Sequence, residues 1–297
     1  MILTLYFPKM IKKNFLFKKF QEIENTNKKF LTAITQNNTE EVKLILNHSF
    51  ESSIPIEINA NNDGEYPLLY AIINNNVEMV RFIMDYANAN NMILNVNEKD
   101  KEGDYPLLNA VSVNNTEMVR LLMEYAVHNH IILDINKKGE DEDYPLIQAI
   151  INNNIEIARL LIEYANYNNI NLVINEKDNE GDYPLLIAIE KNNMEMLESI
   201  IQYAKIKNTI LICGDKNKDG DYPLLRAIAN NNFEMVKLII TYAINHQIVL
   251  EINEQDIIND LRDNFSDSIS INNIIDVNII NLLSIYRNNN EINIITI

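Results

Sequence analysis

The chain has 297 residues, 47% of them hydrophobic, and a formal net charge of −17. That is enough apolar material for a sizeable core in one or two domains. So acidic a chain repels phosphate, which argues against nucleic acid as its partner, and its single cysteine, Cys213, excludes an internal disulfide framework and suits a reducing compartment.

Only 6 glycines and 7 prolines occur, too few breakers for many short strands, so helices are expected. Asn and Ile are frequent throughout, which reads as compositional bias rather than chemistry. Charge is uneven. Lys9, Lys12, Lys13, Lys18, Lys19, Lys28 and Lys29 face only Glu22 and Glu24 in residues 1–30, a net +5 that leaves −22 on the rest. Ile11, Phe15, Leu16, Phe20 and Ile23 recur at helical spacing among those lysines. Such a helix either covers the open end of the fold or lies on an anionic membrane, and the cap is the favoured reading. The apolar stretch Ile2–Phe7 is too short for a signal peptide and precedes the lysines. No apolar run approaches the roughly 18 residues of a membrane span, so an intracellular, soluble, cytoplasmic protein is expected.

Next comes a degenerate unit, Phe30-Leu31-Thr32-Ala33-Ile34 followed by Asn37-Asn38-Thr39-Glu40-Glu41-Val42. Five full units follow. Tyr-Pro recurs at Tyr66, Tyr105, Tyr144, Tyr183 and Tyr222, each 39 residues after the last. Leu68, Leu107, Leu146, Leu185 and Leu224 keep register, as do Ala71, Ala110, Ala149, Ala188 and Ala227. So do Glu78, Glu117, Glu156, Glu195 and Glu234. Within a unit, proline opens a short helix, Asn114-Asn115 breaks it, and a second helix starts near Thr116, a candidate cap. Met118, Val119, Leu122, Met123 and Ala126 form its buried stripe. A short alternating stretch, Ile132 to Ile135, leads to the next turn. One unit alone exposes too much apolar surface, whereas stacked units share a core.

Gly-Asp-Tyr-Pro-Leu-Leu-x-Ala, then Asn-Asn-x-Glu-Met-Val-x-x-Leu, then Ile-Asn and Asp, resembles the ankyrin repeat over roughly residues 59–255. The resemblance implies an all-α solenoid of helix-turn-helix repeats with short finger loops, and a non-catalytic protein-protein interaction module. Three departures stand out. The period is 39 rather than 33, with the extra residues after the second helix. Tyrosine replaces the family's Thr, and Leu69, Leu108, Ile147, Leu186 and Leu225 replace its His, so apolar and aromatic packing is expected where the family has hydroxyl and imidazole bonds. Glu142 stands where the third finger should have Gly, at a position expected to need positive φ and to distort that finger.

The expected division is a basic extension at 1–27, ankyrin-type repeats over 28–255 and a divergent cap at 256–297. Within the repeats, the degenerate unit spans 28–58 and the full ones lie near 59–97, 98–136, 137–175, 176–214 and 215–253. Asn278–Tyr286 echoes a second helix, and 256–272 reads as a loop or divergent helix.

Candidate contact residues follow from the same pattern. Glu65, Asp104, Asp143, Asp182 and Asp221 stand once per finger, with Asp63, Glu102, Asp141, Glu180 and Asp219 beside them. They form an acidic ladder suited to a basic partner, or simply favour helix starts and solubility. The residue before the helix alanine varies: Tyr70, Asn109, Gln148, Ile187, Arg226. Two further variable rows follow, Ile73, Ser112, Ile151, Glu190, Ala229 and then Asn74, Val113, Asn152, Lys191, Asn230. The resemblance puts these rows on the concave, partner-binding side of a monomer. A membrane-surface adaptor that docks through residues 1–27 is the alternative.

Other constellations read as structural. Arg81 with Asp85, Arg120 with Glu124 and Arg159 with Glu163 are spaced as solvated helix pairs. Asp215-Lys-Asn217-Lys-Asp219-Gly220 imitates a calcium loop, but Arg226 stands where the bidentate Glu belongs. His128 and His130 lack the ligand partners of a zinc site. Cys213 occupies an apolar position and reads as a buried thiol. No catalytic residue, metal or cofactor is expected.

Overall fold

The structure is a computed structural model that describes residues 6–61, 66–253, 255–257, 275–288 and 292–295. Its contacts divide into two compact units, Met1–Asp134 and Ile135–Ile297. The first unit holds α1 (Tyr6–Thr35), α2 (Thr39–Ser52), α3 (Pro67–Ile73), α4 (Val77–Ala89), α5 (Pro106–Ser112) and α6 (Thr116–His128). The second holds α7 (Pro145–Ile151), α8 (Ile155–Tyr167), α9 (Pro184–Glu190), α10 (Met194–Ile206), α11 (Pro223–Ala229) and α12 (Phe233–Asn245). It closes with β1 (Leu250–Asn253), α13 (Val277–Asn288) and β2 (Ile292–Ile295), the strands pairing in parallel from Leu250 opposite Ile292. Most of the expected 256–272 segment lies outside the described residues. Each unit is a stack of helix-turn-helix repeats, in which short first helices pack on one another and on the longer second helices.

Helix α1 runs through 27/28 without a break. Of its apolar stripe, Ile11, Phe15 and Leu16 lie outside the described side chains, Phe20 is exposed and Ile23 half-buried. Phe30, Ala33 and Ile34 are fully buried.

The abundant asparagines are chemistry, not bias. In every repeat a first helix ends on an asparagine in the left-handed region, at Asn37, Asn75, Asn114, Asn153, Asn192 and Asn231. The next residue's N–H returns to the recurrent alanine carbonyl five back, as in Asn76 to Ala71 and Asn193 to Ala188, closing a Schellman turn. Asparagine tolerates positive φ better than other side-chain-bearing residues, so it does here what glycine usually does. That second asparagine, not Thr116, caps the following helix: Asn115 Oδ1 accepts from Met118 N–H at 3.0 Å. Its amide donates to the left-handed asparagine of the preceding repeat, as in Asn76 to Asn37 (2.6 Å), Asn193 to Asn153 (2.6 Å) and Asn232 to Asn192 (2.7 Å).

A third asparagine row joins the extended stretches. Asn59, Asn97, Asn136 and Asn175 each donate to a carbonyl in the following stretch, at Ile93, Ile132, Asn171 and Ile210, 2.7 Å in each case. Each also accepts a backbone N–H two residues further on. Gly214 interrupts this row at the 39-residue stride, and a Cβ there would meet nothing within 4 Å. Gly214→Asn is therefore expected to bridge Val249 and Glu251 and to raise stability by about 1 kcal/mol. Urea denaturation reads this, and a loss of stability would refute it.

The finger tyrosines are buried as expected, but their hydroxyls also act. Tyr66, Tyr105, Tyr144 and Tyr183 donate forward to the carbonyls of Glu98 (2.6 Å), Asp134 (2.7 Å), Glu176 (3.2 Å) and Asp215 (2.9 Å). A second tyrosine row, on the long helices, accepts backward from the preceding extended stretch: Ile56 N–H to Tyr86, Leu94 to Tyr125, Leu172 to Tyr203, Leu211 to Tyr242. Burial raises the phenol pKa of Tyr66, Tyr105, Tyr144 and Tyr183, which keeps them neutral donors, and of the fifth finger tyrosine, Tyr222, whose hydroxyl instead accepts from Asn253 N–H.

Glu142 does take positive φ (62°), yet its finger keeps the turn bond of the others, Gly139 N–H to Asp143 carbonyl at 2.8 Å. Two of the three arginines expected to pair within their helices reach the next repeat: Arg81 to Glu117 and Arg159 to Glu195, both 2.7 Å.

Candidate functional site

The fingers present their acids in two settings. Asp104, Asp143, Asp182 and Asp221 are half-buried, because their carbonyls close the finger turns with the N–H groups of Asp100, Gly139, Asp178 and Asn217. Glu102, Asp141, Glu180 and Asp219 are exposed. Glu65 and Asp63 lie outside the described residues. The calcium-like loop spends its central side chain on folding. Asn217 Oδ1 accepts from Asp219 and Asp221 N–H, and its amide donates to Asp182 at 2.7 Å.

A lysine row absent from the sequence-based candidates interleaves with the acids. Lys138, Lys177 and Lys216 keep the 39-residue stride, so the repeat itself could have revealed them. Lys138 pairs with Glu142 (2.9 Å) and Glu176 (3.1 Å), Lys177 with Asp215 (2.9 Å) and Lys216 with Asp256 (2.9 Å). Lys177 and Lys216 also lie over the rings of Tyr183 and Tyr222. The finger edge is therefore a mixed-charge surface with an acidic excess.

The variable row is not uniformly open. In the first unit Tyr70 and Asn109 are half-buried, flanked by exposed Ile73 and Ser112. In the second, Gln148 and Arg226 are half-buried, whereas Ile187 is only 3% exposed and belongs to the core. Asn74 and Asn230, in the last variable row, donate to the preceding repeat's Ile34 (3.4 Å) and Ile189 (2.7 Å) carbonyls, so these two serve the fold.

One cluster in the second unit brings both sets together. Arg226 lies 4.0 Å from Glu190 and 3.7 Å from Asp221, Asp182 stands near Glu190, and Lys191 also acts on Glu190, so two cations stand among three half-buried carboxylates. Burial first, then Asp182, pushes the Glu190 carboxyl up to about 7, against the pull of Arg226. Asp182 is also raised, chiefly by burial. The sign for stability follows. The folded pKa lies above the ordinary 4.5, so ionising Glu190 costs the folded state more than the unfolded one. The favourable contribution of the neutral form is complete below pH 4.5 and lost as pH rises to about 7. Glu190→Gln is expected to melt like the parent near pH 4.5 and at higher temperature above pH 7. A melting difference independent of pH would contradict this.

Cys213 is 2% exposed, and burial with Asp215 nearby pushes its thiol up to about 11, which leaves it unreactive at neutral pH. No described helix is long and apolar enough to cross a membrane.

A family described as "Ankyrin repeats (3 copies)" matches at residues 9–95, 89–173 and 169–250. No curated protein matches the chain.

Proposed function

The chain belongs to the ankyrin repeat family, and from that premise we propose that it is a non-catalytic adaptor that binds a partner protein along its finger and first-helix face. Ankyrin repeats generally mediate protein-protein interactions. What carries the finer reading is a division of labour among residues. Side chains that recur every 39 residues are consumed in holding repeat to repeat: the two tyrosine rows, the three asparagine rows and the finger lysines. Those that vary, Tyr70, Asn109, Gln148, Glu190 and Arg226, stand on the first helices behind the fingers and do not repeat the framework's bonds. A surface whose frame is constant and whose face differs from repeat to repeat suits recognition of one particular partner.

The acidic excess supports a basic partner. Glu102, Asp141, Glu180 and Asp219 offer exposed carboxylates along the finger tips, and the Glu190 cluster sets three carboxylates against Arg226 and Lys191. Charge at the rim steers encounter, and a half-buried cluster supplies an anchor for a lysine or arginine.

The test compares the full chain with a variant in which Tyr70, Asn109 and Gln148 are alanine, in cross-linking and capture from native extract at two salt concentrations. The expected result is a discrete basic protein retained by the parent, weakened by salt and lost by the variant, with thermal melting little changed. Equal capture by both would overturn the assignment of this face.

A further inference from the structure

The long-helix surface of the second unit carries an acidic apolar groove, and we propose that it receives the N-terminal helix of a second copy of this chain. The groove arises from one break in the repeat. At the 39-residue stride the outward position of the long helix is Phe82, Leu121, Leu160, Ser199 and Leu238. The small Ser199, whose hydroxyl turns back onto the Glu195 carbonyl at 2.8 Å, leaves a depression of about 650 Å³ across α8, α10 and α12. Its loss uncovers neighbours. Ile162 and Ile201 are partly exposed, whereas their counterparts Met84, Met123 and Ile240 are 5%, 7% and 0% exposed. Ile206 adds a wall that is 62% exposed.

The rim changes charge at the same repeat. Where the other units have Arg81, Arg120, Arg159 and Lys237, the fourth has Glu198. Arg159 is committed to Glu195, so Glu163 and Glu198 are the charges the groove presents. An apolar floor under two carboxylates fits an apolar side chain flanked by lysines.

The chain itself carries such a segment, uncovered by the described residues of its own unit. In α1 every residue from Phe17 to Glu22 is exposed. Phe17 and Phe20 are 60% and 65% exposed, one helical turn apart, with Lys18 and Lys19 between them. An isolated helix is marginal in water, and an uncovered aromatic pair on it is a surface awaiting a partner. The net +5 of residues 1–30 meets the −22 of the remainder, so long-range attraction draws one copy's helix to another copy's body. The contact is heterologous, helix of one copy to groove of the next.

That asymmetry supplies the decisive experiment, which does not depend on the proposed finger-face binding. Sedimentation velocity of the full chain should show concentration-dependent association that weakens in salt. Ser199→Leu restores the residue found in most other repeats and fills the groove, while Phe17→Asp with Phe20→Asp disables the helix at exposed positions that folding does not need. Each variant alone should be monomeric, and a mixture of the two should form a dimer that grows no further. A labelled peptide of residues 9–24 should bind the parent and lose about tenfold or more in affinity for Ser199→Leu, the scale of one lost aromatic anchor. A parent monomeric at all concentrations, association unchanged in either variant, or a mixture that stays monomeric each overturns the proposal. If the parent is monomeric but floats with anionic vesicles through Phe17 and Phe20, the helix is covered by membrane instead.

Discussion

Tyr105→Ala is expected to destabilise the first unit by about 3–5 kcal/mol, the range for deleting a large, fully buried ring. Tyr105 is 0% exposed, sits as the residue before Pro106 in extended backbone, and links two consecutive repeats. Its ring fills space between them and its hydroxyl donates to the Asp134 carbonyl at 2.7 Å. The two contributions separate. Tyr105→Phe keeps the ring and removes only the hydroxyl, at a cost of about 1–2 kcal/mol for the lost bond and the carbonyl left short of a donor. Urea denaturation gives the totals, and amide exchange over residues 66–134 locates the loss. Because stacked repeats are coupled mainly to their neighbours, protection should fall most on either side of the substituted junction. If Phe proved as costly as Ala, the hydroxyl rather than ring burial would dominate the junction, and the account of these tyrosines would have to be reversed.

The second large effect is expected at Asn193. Its carbonyl oxygen caps α10 by accepting from Met196 N–H at 2.9 Å, and its amide donates to Asn153 of the preceding repeat at 2.6 Å. Asn193→Ala removes both, for a total of about 2 kcal/mol: about 1 for the cap and about 1 for the cross-repeat bond. Asn193→Asp retains the cap and should cost distinctly less. Asn153→Gly keeps the left-handed backbone there (φ 54°) while deleting the acceptor. The coupling between Asn193→Ala and Asn153→Gly in a double-mutant cycle therefore measures the cross-repeat bond itself. Zero coupling would reduce this asparagine row to six independent caps.

Both predictions turn on residues whose recurrence was plain and whose work was not. Tyr66 and its successors, read as packing that replaces a family hydroxyl, do pack, but they also carry a hydroxyl to the next repeat. By residue type alone the Asn-Asn pairs mark a helix break within an asparagine-rich composition. Periodicity cannot say which asparagine turns left-handed and which caps, because the two are adjacent and chemically identical. Only the backbone assigns Asn114 the positive φ and Asn115 the cap. Thr116 was a reasonable cap by residue type and lost to the residue before it. Glu142 went the other way. The expected positive φ is there, but the surrounding turn bonds hold the finger in shape.

The candidate site was legible in part. Counting at a fixed stride separates constant from variable positions, and that picks out Tyr70, Asn109, Gln148 and Arg226 without any coordinates. It cannot tell that Ile187 points into the core, since an apolar residue at a variable position is compatible with either side. Nor does it show that Lys138, Lys177 and Lys216 answer the finger acids, because each pairs with a residue about one repeat further on.

By itself, then, the sequence determined the repeat, its length, the order of helices within it and the family. Those follow from residue type at fixed spacing, with proline opening helices, asparagine ending them and apolar stripes facing inward. Tertiary structure alone decided which neighbour each recurrent polar group bonds, how far a finger acid is buried, that one guanidinium stands among three carboxylates, and that Ser199 leaves a groove. The physical reason is that these depend on distances between residues some 30 to 40 positions apart, which stacking creates and no local pattern encodes.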